Sequence, residues 1–388
     1  MEDQEAWVNK LLEPSEIKIN GNNPWDIKII NPDVYDRVKA EGSLGLGESY
    51  MDGWWECKNL DQFFYKLFLA NIPDNIGFSL PLFLSVIKAK IFNLQAKSRA
   101  FEVGEKHYDL DNKLFSAMLG KTMAYSCGYW KKAKNLDQAQ EDKFDLICKK
   151  LNFKKGPTNA AGRQRILDIG CGWGSFAKYA AENYNVSVVG VTISKEQADF
   201  AQNFCKGLPI DIRVQDYRDL QEKFDHIISV GMFEHVGPKN YKTYFEVAKR
   251  CLKENGLFLL HTIGDLTSTG ESDPWLNKYI FPNGSLPSLK KIAANVEKLF
   301  VIEDVHNFGA DYDKTLMQWH KNFIAAWPRL RQGSGGQAKF QAEYDERFFK
   351  MWNYYLLSCA GNFRARHIPL WQIVLSPNGV PNGYKSVR

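Results

Sequence analysis

The sequence predicts an α/β chain: a doubly wound, mostly parallel sheet, preceded by a smaller, largely helical N-terminal domain. Three observations carry that expectation. The run Ile166-Leu167-Asp168-Ile169 leads directly into Gly170-Cys171-Gly172-Trp173-Gly174, a buried strand entering a glycine turn ahead of a helix near Ser175. Glycines allow so tight a turn and let backbone amides approach a ligand at the positive end of the next helix. Short β-branched runs then alternate with helical patterns as far as residue 262. Residues 1–75 lack that alternation and show helical spacing broken by turn clusters such as Asn20-Gly21-Asn22-Asn23-Pro24.

In chain order, strands are expected at 166–169 and 187–191, flanking a helix over 176–183. A helix over 195–205 precedes a third strand at 211–215. A fourth strand at 226–230, a helix over 241–252 and a fifth strand at 257–262 follow. Such β-α-β units place ligands at the carboxyl ends of the strands. In the N-terminal part, Phe63, Phe64, Leu67 and Phe68 have helical spacing. The apolar segment 77–90, followed by Lys97 and Arg99, suits either a membrane surface or the inside of the small domain. The division expected is 1–92 for the N-terminal domain, 93–106 for a polar linker and 107–388 for the larger domain. Gln332-Gly333-Ser334-Gly335-Gly336-Gln337 reads as a mobile loop.

Composition narrows the function classes. A chain of 388 residues, 44% hydrophobic and 24% charged, can fold as two globular domains. Residues 101–388 carry 39 Lys and Arg against 31 Asp and Glu, a mild excess that suits an anionic membrane surface or plain solvation. No dense basic run interleaved with aromatics points to nucleic acid. Seven cysteines, an odd number without paired spacing, suggest reduced thiols rather than a disulfide framework or zinc ribbon. The acidic N-terminus lacks a signal-peptide pattern, and the longest apolar run, 76–91, is broken by Pro81.

The glycine turn has the spacing Asp-x-Gly-x-Gly-x-Gly, not the dinucleotide G-x-G-x-x-G, and no Walker lysine follows. It resembles motif I of S-adenosylmethionine (SAM) methyltransferases, which implies a Rossmann-like class I SAM methyltransferase domain. Asp168 and the backbone of Gly170, Cys171, Gly172, Trp173 and Gly174 would then hold the methionine end of SAM. After the second strand, Thr192, Ile193, Ser194 and Gln197 stand where many such enzymes keep an acidic residue for the ribose. After the third, Asp216 offers a carboxylate to the adenine amino group. Tyr217 offers either a stacking ring or ordinary packing.

Further motifs extend the resemblance over nearly the whole chain. They include His107-Tyr108-Asp109-Leu110, Tyr125-Ser126-Cys127-Gly128-Tyr129-Trp130, Gly231-Met232-Phe233-Glu234-His235-Val236-Gly237-Pro238 and His261-Thr262-Ile263-Gly264. Pro274-Trp275-Leu276-Asn277-Lys278-Tyr279, Phe308-Gly309-Ala310-Asp311-Tyr312 and Cys359-Ala360-Gly361-Asn362-Phe363-Arg364 complete the set. Together they resemble the bacterial cyclopropane-fatty-acyl-phospholipid synthases. The N-terminal hundred residues favour that branch over the mycolic-acid branch, which begins near the His107 motif.

The resemblance implies methyl transfer from SAM to a cis double bond of a phospholipid acyl chain, with a bound bicarbonate removing a proton before the ring closes. Its cage here would be Cys127, Glu234, His261, Ile263 and Tyr312, with Ile263 contributing backbone. Glu234 beside an anion requires a shared proton or compensation by His261. Tyr125 and Ser126 would touch SAM. The family also marks Cys359, although SAM brings its own leaving group and no protein nucleophile is needed. Phe233, Tyr279, Phe281 and Trp319 are expected along an acyl tunnel. Each cage residue also has a plainer reading, as a polar strand end or a small buried packer, and the scattered positions show no metal-site spacing. A cytoplasmic enzyme is implied, peripheral to the inner face of the membrane and possibly homodimeric. Its rivals are a methyltransferase for amines or carrier-bound acyl chains and a non-catalytic lipid-binding protein.

Overall fold

The computed structural model describes residues 2–72, 112–156, 162–268, 272–332 and 344–388, with the side chains of Glu2 and Asp3 excepted. The 77–90 segment, the expected linker, the His107 motif and residues 333–337 of the glycine-rich insert lie outside them. The described residues form two compact units that interleave along the chain. One combines 2–72 with 272–282, 312–332 and 344–368; the other holds 112–156, 162–268, 283–311 and 369–388. Two stretches expected to belong to the larger domain thus fold in the helical unit.

In the helical unit, β1 (Ile27–Ile29) and β2 (Trp55–Cys57) pair as a short two-stranded antiparallel sheet. Helices Leu60–Leu69 and Glu346–Arg364 approach closely because Gly361 has no side chain. A Cβ there would lie 2.6 Å from Tyr65 N and 2.7 Å from Phe64 Cβ. The pair is fastened by Arg364, which donates to Asp61 at 2.7 Å and to Asp313 at 2.8 and 2.9 Å.

The other unit is built on a seven-stranded sheet. Its strands are β3 (Gln164–Ile169), β4 (Val186–Thr192), β5 (Ile210–Val214), β6 (Phe224–Val230), β7 (Leu252–Ile263), β8 (Val301–Asn307) and β9 (Leu370–Ser376). The order is β5-β4-β3-β6-β7-β9-β8. The five strands expected from the sequence are there and pair in parallel, while β9 runs antiparallel to both β7 and β8. Leu370-Trp371-Gln372-Ile373-Val374-Leu375-Ser376 is buried throughout, as suits a strand inside a sheet.

Alternation along the strands divides the core. Ile166, Val186, Val188 and Ile228 pack with Phe144, Ile147, Phe176 and Ala177. Leu167, Ile169, Val189 and Val191 pack on the other face with Phe233, Tyr241, Tyr244 and Phe245. Each such apolar side chain contributes about 1.5–3 kcal/mol by leaving water. The chain leaves β3 for β4 on one side and returns to β6 on the other. That reversal opens a crevice at the carboxyl ends of β3 and β6, beside Gly170 and Gly231.

Candidate active site

The glycine turn follows from backbone conformation. Gly170, Gly172 and Gly174 have φ of 80°, 53° and 81°, the left-handed region that side chains disfavour. A Cβ on Gly170 would also meet Met232 Cγ at 2.5 Å, and one on Gly174 would meet Cys205 Sγ at 2.9 Å. The amides of Gly170 and Cys171 both donate to Val191 O, at 2.9 and 3.1 Å, tying the turn to β4. Helix Ser175–Asn183 then starts beyond Gly174 without a side-chain cap. Asp168, the last polar residue of β3, is buried, and burial pushes its carboxyl up to about 7 against the pull of Lys143.

At the end of β4 the polar residues form one cluster. Thr192 Oγ1 donates to Gln197 Oε1 at 2.9 Å and accepts from Ser194 N at 3.2 Å. Ser194 caps helix Lys195–Phe204 by accepting from Gln197 N at 3.2 Å. Gln197 is buried, and Ile193 is half-buried between Thr192 and Ser194. Asp216 is engaged by a neighbour: its oxygens accept from Arg218 N at 2.9 Å, Nε at 2.8 Å and Nη2 at 2.6 Å. Tyr217 is a core residue, edge-on to Tyr244 at 5.3 Å. Phe115 joins Tyr125 to Trp173, with ring centroids 5.4 and 4.9 Å away.

Residues distant in sequence meet at the ends of β6 and β7. Glu234, on the 3-10 turn Phe233–His235 after β6, accepts from Ile263 N through Oε1 at 2.7 Å. Its Oε2 is buried without a partner. Burial pushes the carboxyl up to about 7, and the backbone donors offset this only in part. His261 stands opposite Gln372 across the β7–β9 ladder, with its Nδ1 3.3 Å from Gln372 Nε2. If that amide donates to Nδ1, the imidazole proton sits on Nε2, which is also buried without a partner. Burial holds the His261 pKa well below the usual histidine range.

Cys127 is wholly buried, with Sγ 3.2 Å from Gly128 O. The Phe308–Asp311 segment adjoins both neighbours: the Phe308 ring lies 5.7 Å from His261, and Asp311 accepts from Trp130 N at 2.7 Å. Tyr312 comes next in the chain but belongs to the helical unit, packed on Phe363 at 4.5 Å. Cys359 is in the helical unit too, and burial pushes its thiol up to about 12, far from a reactive thiolate.

The aromatics expected along a tunnel fall in both units. Phe233 is wholly buried and stacked on Tyr241 at 4.4 Å, in the core of the sheet unit. Tyr279, Phe281 and Trp319 lie in the helical unit, where Tyr279 donates to Glu48 at 2.8 Å. Sequence reasoning missed Gln372, although a lone amide within an apolar strand was a visible signal. It also missed Gln140 and Lys143, which look like an ordinary polar helix face. Among the described residues, no group of three His, Cys, Asp or Glu could hold a metal, and no helix is long and apolar enough to cross a membrane.

Comparison with known proteins agrees with this geometry. The family described as mycolic acid cyclopropane synthetase matches residues 95–373. A cyclopropane-fatty-acyl-phospholipid synthase of Escherichia coli K12 is 55% identical over 98% of this chain and 95% of its own. A probable fatty acid methyltransferase of Pseudomonas putida is 36% identical over 69% of this chain and 67% of its own. Among solved structures, a cyclopropane synthase of Mycobacterium tuberculosis has a TM-score of 0.61 at 28% identity, covering 73% of this chain and 99% of that one. A mycolic acid cyclopropane synthase complexed with SAH and CTAB has a TM-score of 0.61 at 30% identity, covering 71% of this chain and 97% of that one. The chain belongs to the mycolic acid cyclopropane synthetase family and is, like its relatives, a SAM-dependent methyltransferase.

Proposed function

We propose that the protein converts cis double bonds in phospholipid acyl chains into cyclopropane rings, at a membrane surface, using SAM. The observation that carries the reading is the buried pair of unpartnered polar atoms, Glu234 Oε2 and His261 Nε2, at the carboxyl ends of β6 and β7 on one side of the glycine turn. Transfer of a methyl to an amine needs no such pocket, because the amine supplies its own electron pair. An alkene does need one. Its π electrons form the new C–C bond as the sulfonium leaves, and the adjacent carbon becomes a cation. Loss of a proton from the new methyl group lets that C–H electron pair close the ring.

The residues present fit a small oxyanion there. His261 Nε2–H points a donor into the pocket, and a protonated Glu234 offers a second through Oε2. Ile263 N fixes the glutamate by holding Oε1 at 2.7 Å. Gln372 fixes the ring of His261 in the same way. Bicarbonate held between them would supply the base for the methyl proton. Glu234 and His261 would orient it, and Cys127 would donate a further hydrogen bond. Gly170–Gly174, Gln197 and Ser126 would seat SAM. The phospholipid branch is favoured by the match to the E. coli relative over 98% of this chain, whereas the mycobacterial structure leaves over a quarter of it uncovered. Peripheral attachment to an anionic bilayer and a homodimer belong to the same proposal.

The test is chemical. Purified protein is incubated with SAM, bicarbonate and vesicles of cis-unsaturated phospholipid, and the fatty acid methyl esters are analysed by gas chromatography–mass spectrometry. A product heavier by one CH₂ that resists hydrogenation is expected. A heavier product that takes up hydrogen would mean methyl transfer without ring closure. No product, with SAM still bound, would overturn the lipid reading.

A further inference from the structure

Two side chains of helix Leu136–Lys150 take no part in the chemistry above. Gln140 and Lys143, three residues apart and so on one face, are both wholly buried. Both reach the loop that carries Tyr125, Ser126 and Cys127. Gln140 Nε2 donates to Ser126 O at 2.8 Å and to Ala124 O at 3.4 Å, while Lys143 Nζ donates to Ser126 Oγ at 2.7 Å. The lysine end also lies 4.2 Å over the Phe144 ring. Burial lowers its pKa to about 7 against the pull of Cys127 and Asp168, and its charge also acts on His261. An apolar side chain would fill this space at much lower cost, so packing does not account for the amine.

Its position does. Ser126 Oγ accepts from Lys143 and therefore keeps its own O–H to donate. Ser126 sits at the crevice: a Cβ on Gly231, just past β6, would lie 4.0 Å from its Cβ. The preceding Tyr125 is joined through Phe115 to Trp173 of the glycine turn. The hydroxyl is thus placed where the amino-acid end of SAM meets the end of β3, with a buried amine behind it.

We propose that Lys143 is a positioning residue for the amino-acid end of SAM. Acting through Ser126, it turns the serine hydroxyl toward the SAM carboxylate and puts positive potential behind it, while Gln140 holds the loop backbone. The inference rests on the SAM part of the proposed function and not on its lipid part.

The test compares two ligands by calorimetry: S-adenosylhomocysteine, and 5′-methylthioadenosine, which keeps the adenosine and thioether but lacks the amino-acid end. Lys143→Met is expected to weaken S-adenosylhomocysteine about tenfold or more, as for a lost hydrogen bond to a charged group, and to change 5′-methylthioadenosine less than about twofold. Ser126→Ala should show the same pattern, and the double variant should bind no worse than the weaker single variant. Lys143→Gln, which retains an N–H donor, should recover part of the loss, and it carries the comparison if Lys143→Met does not fold. Equal losses for both ligands, or no loss for either, would overturn the inference. Vesicle turnover by the wild type judges the lipid reading separately.

Discussion

The glycine turn and the Glu234–His261 pocket lie at the same end of one sheet, yet they are finished in opposite ways. At the turn the chain largely satisfies itself: Gly170 and Cys171 bond to Val191 O, and Thr192, Ser194 and Gln197 bond to one another. In the pocket, Glu234 Oε2 and His261 Nε2 are buried with no partner, at a cost of about 1–3 kcal/mol each. A turn closed on itself is a rigid seat for a ligand that is held by backbone. A pocket with unspent donors is prepared for a guest that must be polar. The difference suggests that the turn governs affinity for SAM and the pocket governs what happens after the methyl has moved.

Breaking the pocket should have the largest effect. Glu234→Ala removes the group proposed to orient the base, and product formation should fall about 10²–10⁴-fold while S-adenosylhomocysteine still binds. Titration of that ligand alongside the vesicle assay checks both halves; a joint loss would erase the distinction. Breaking the turn should invert the pattern. Gly174→Ala puts a side chain at φ 81°, 2.9 Å from Cys205 Sγ. A cost of about 1–2 kcal/mol for the left-handed conformation should lower Tm by a few degrees and weaken S-adenosylhomocysteine.

Glu234 sharpens the comparison through pH. Its carboxyl is raised from 4.5 to about 7 by burial. The folded state therefore holds this proton more tightly than the unfolded chain does. The resulting stability is fully present below the unfolded value near 4.5 and is lost as pH rises through about 7. Glu234→Gln cannot titrate, so its Tm relative to the wild type should improve steadily from pH 5 to pH 8. A constant difference would mean that Glu234 is an ordinary carboxylate. The smallest effect belongs to a residue outside both regions: with its thiol pushed up to about 12, Cys359→Ser should leave turnover within about twofold.

The same contrast explains what could be read from sequence. The turn was legible because its parts are contiguous: three glycines, the apolar strand before them and the helix after them belong to one local conformation. The parallel strands were legible from their β-branched runs. Strand β9 was not, because its partner β7 lies more than a hundred residues away and nothing local fixes an antiparallel insertion. Gln372 was lost with it. Glu234, Cys127 and His261 were named only through family motifs, since no spacing rule links residues so far apart in the chain. Lys143 was hidden by its setting: Asp142-Lys143 in a charged helix looks like a solvated face, yet Lys143 lies on the same buried face as Gln140 and Ile147. The helical unit's use of 272–282, 312–332 and 344–368 left no mark that periodicity could detect.

The most direct test of the account is the dependence of turnover on bicarbonate. Wild-type protein, with SAM and cis-unsaturated vesicles, is assayed in buffer freed of carbon dioxide and then with bicarbonate added back. The account predicts a rate that collapses on depletion and returns saturably with added bicarbonate, while Glu234→Ala stays low throughout. A wild-type rate indifferent to bicarbonate would contradict it.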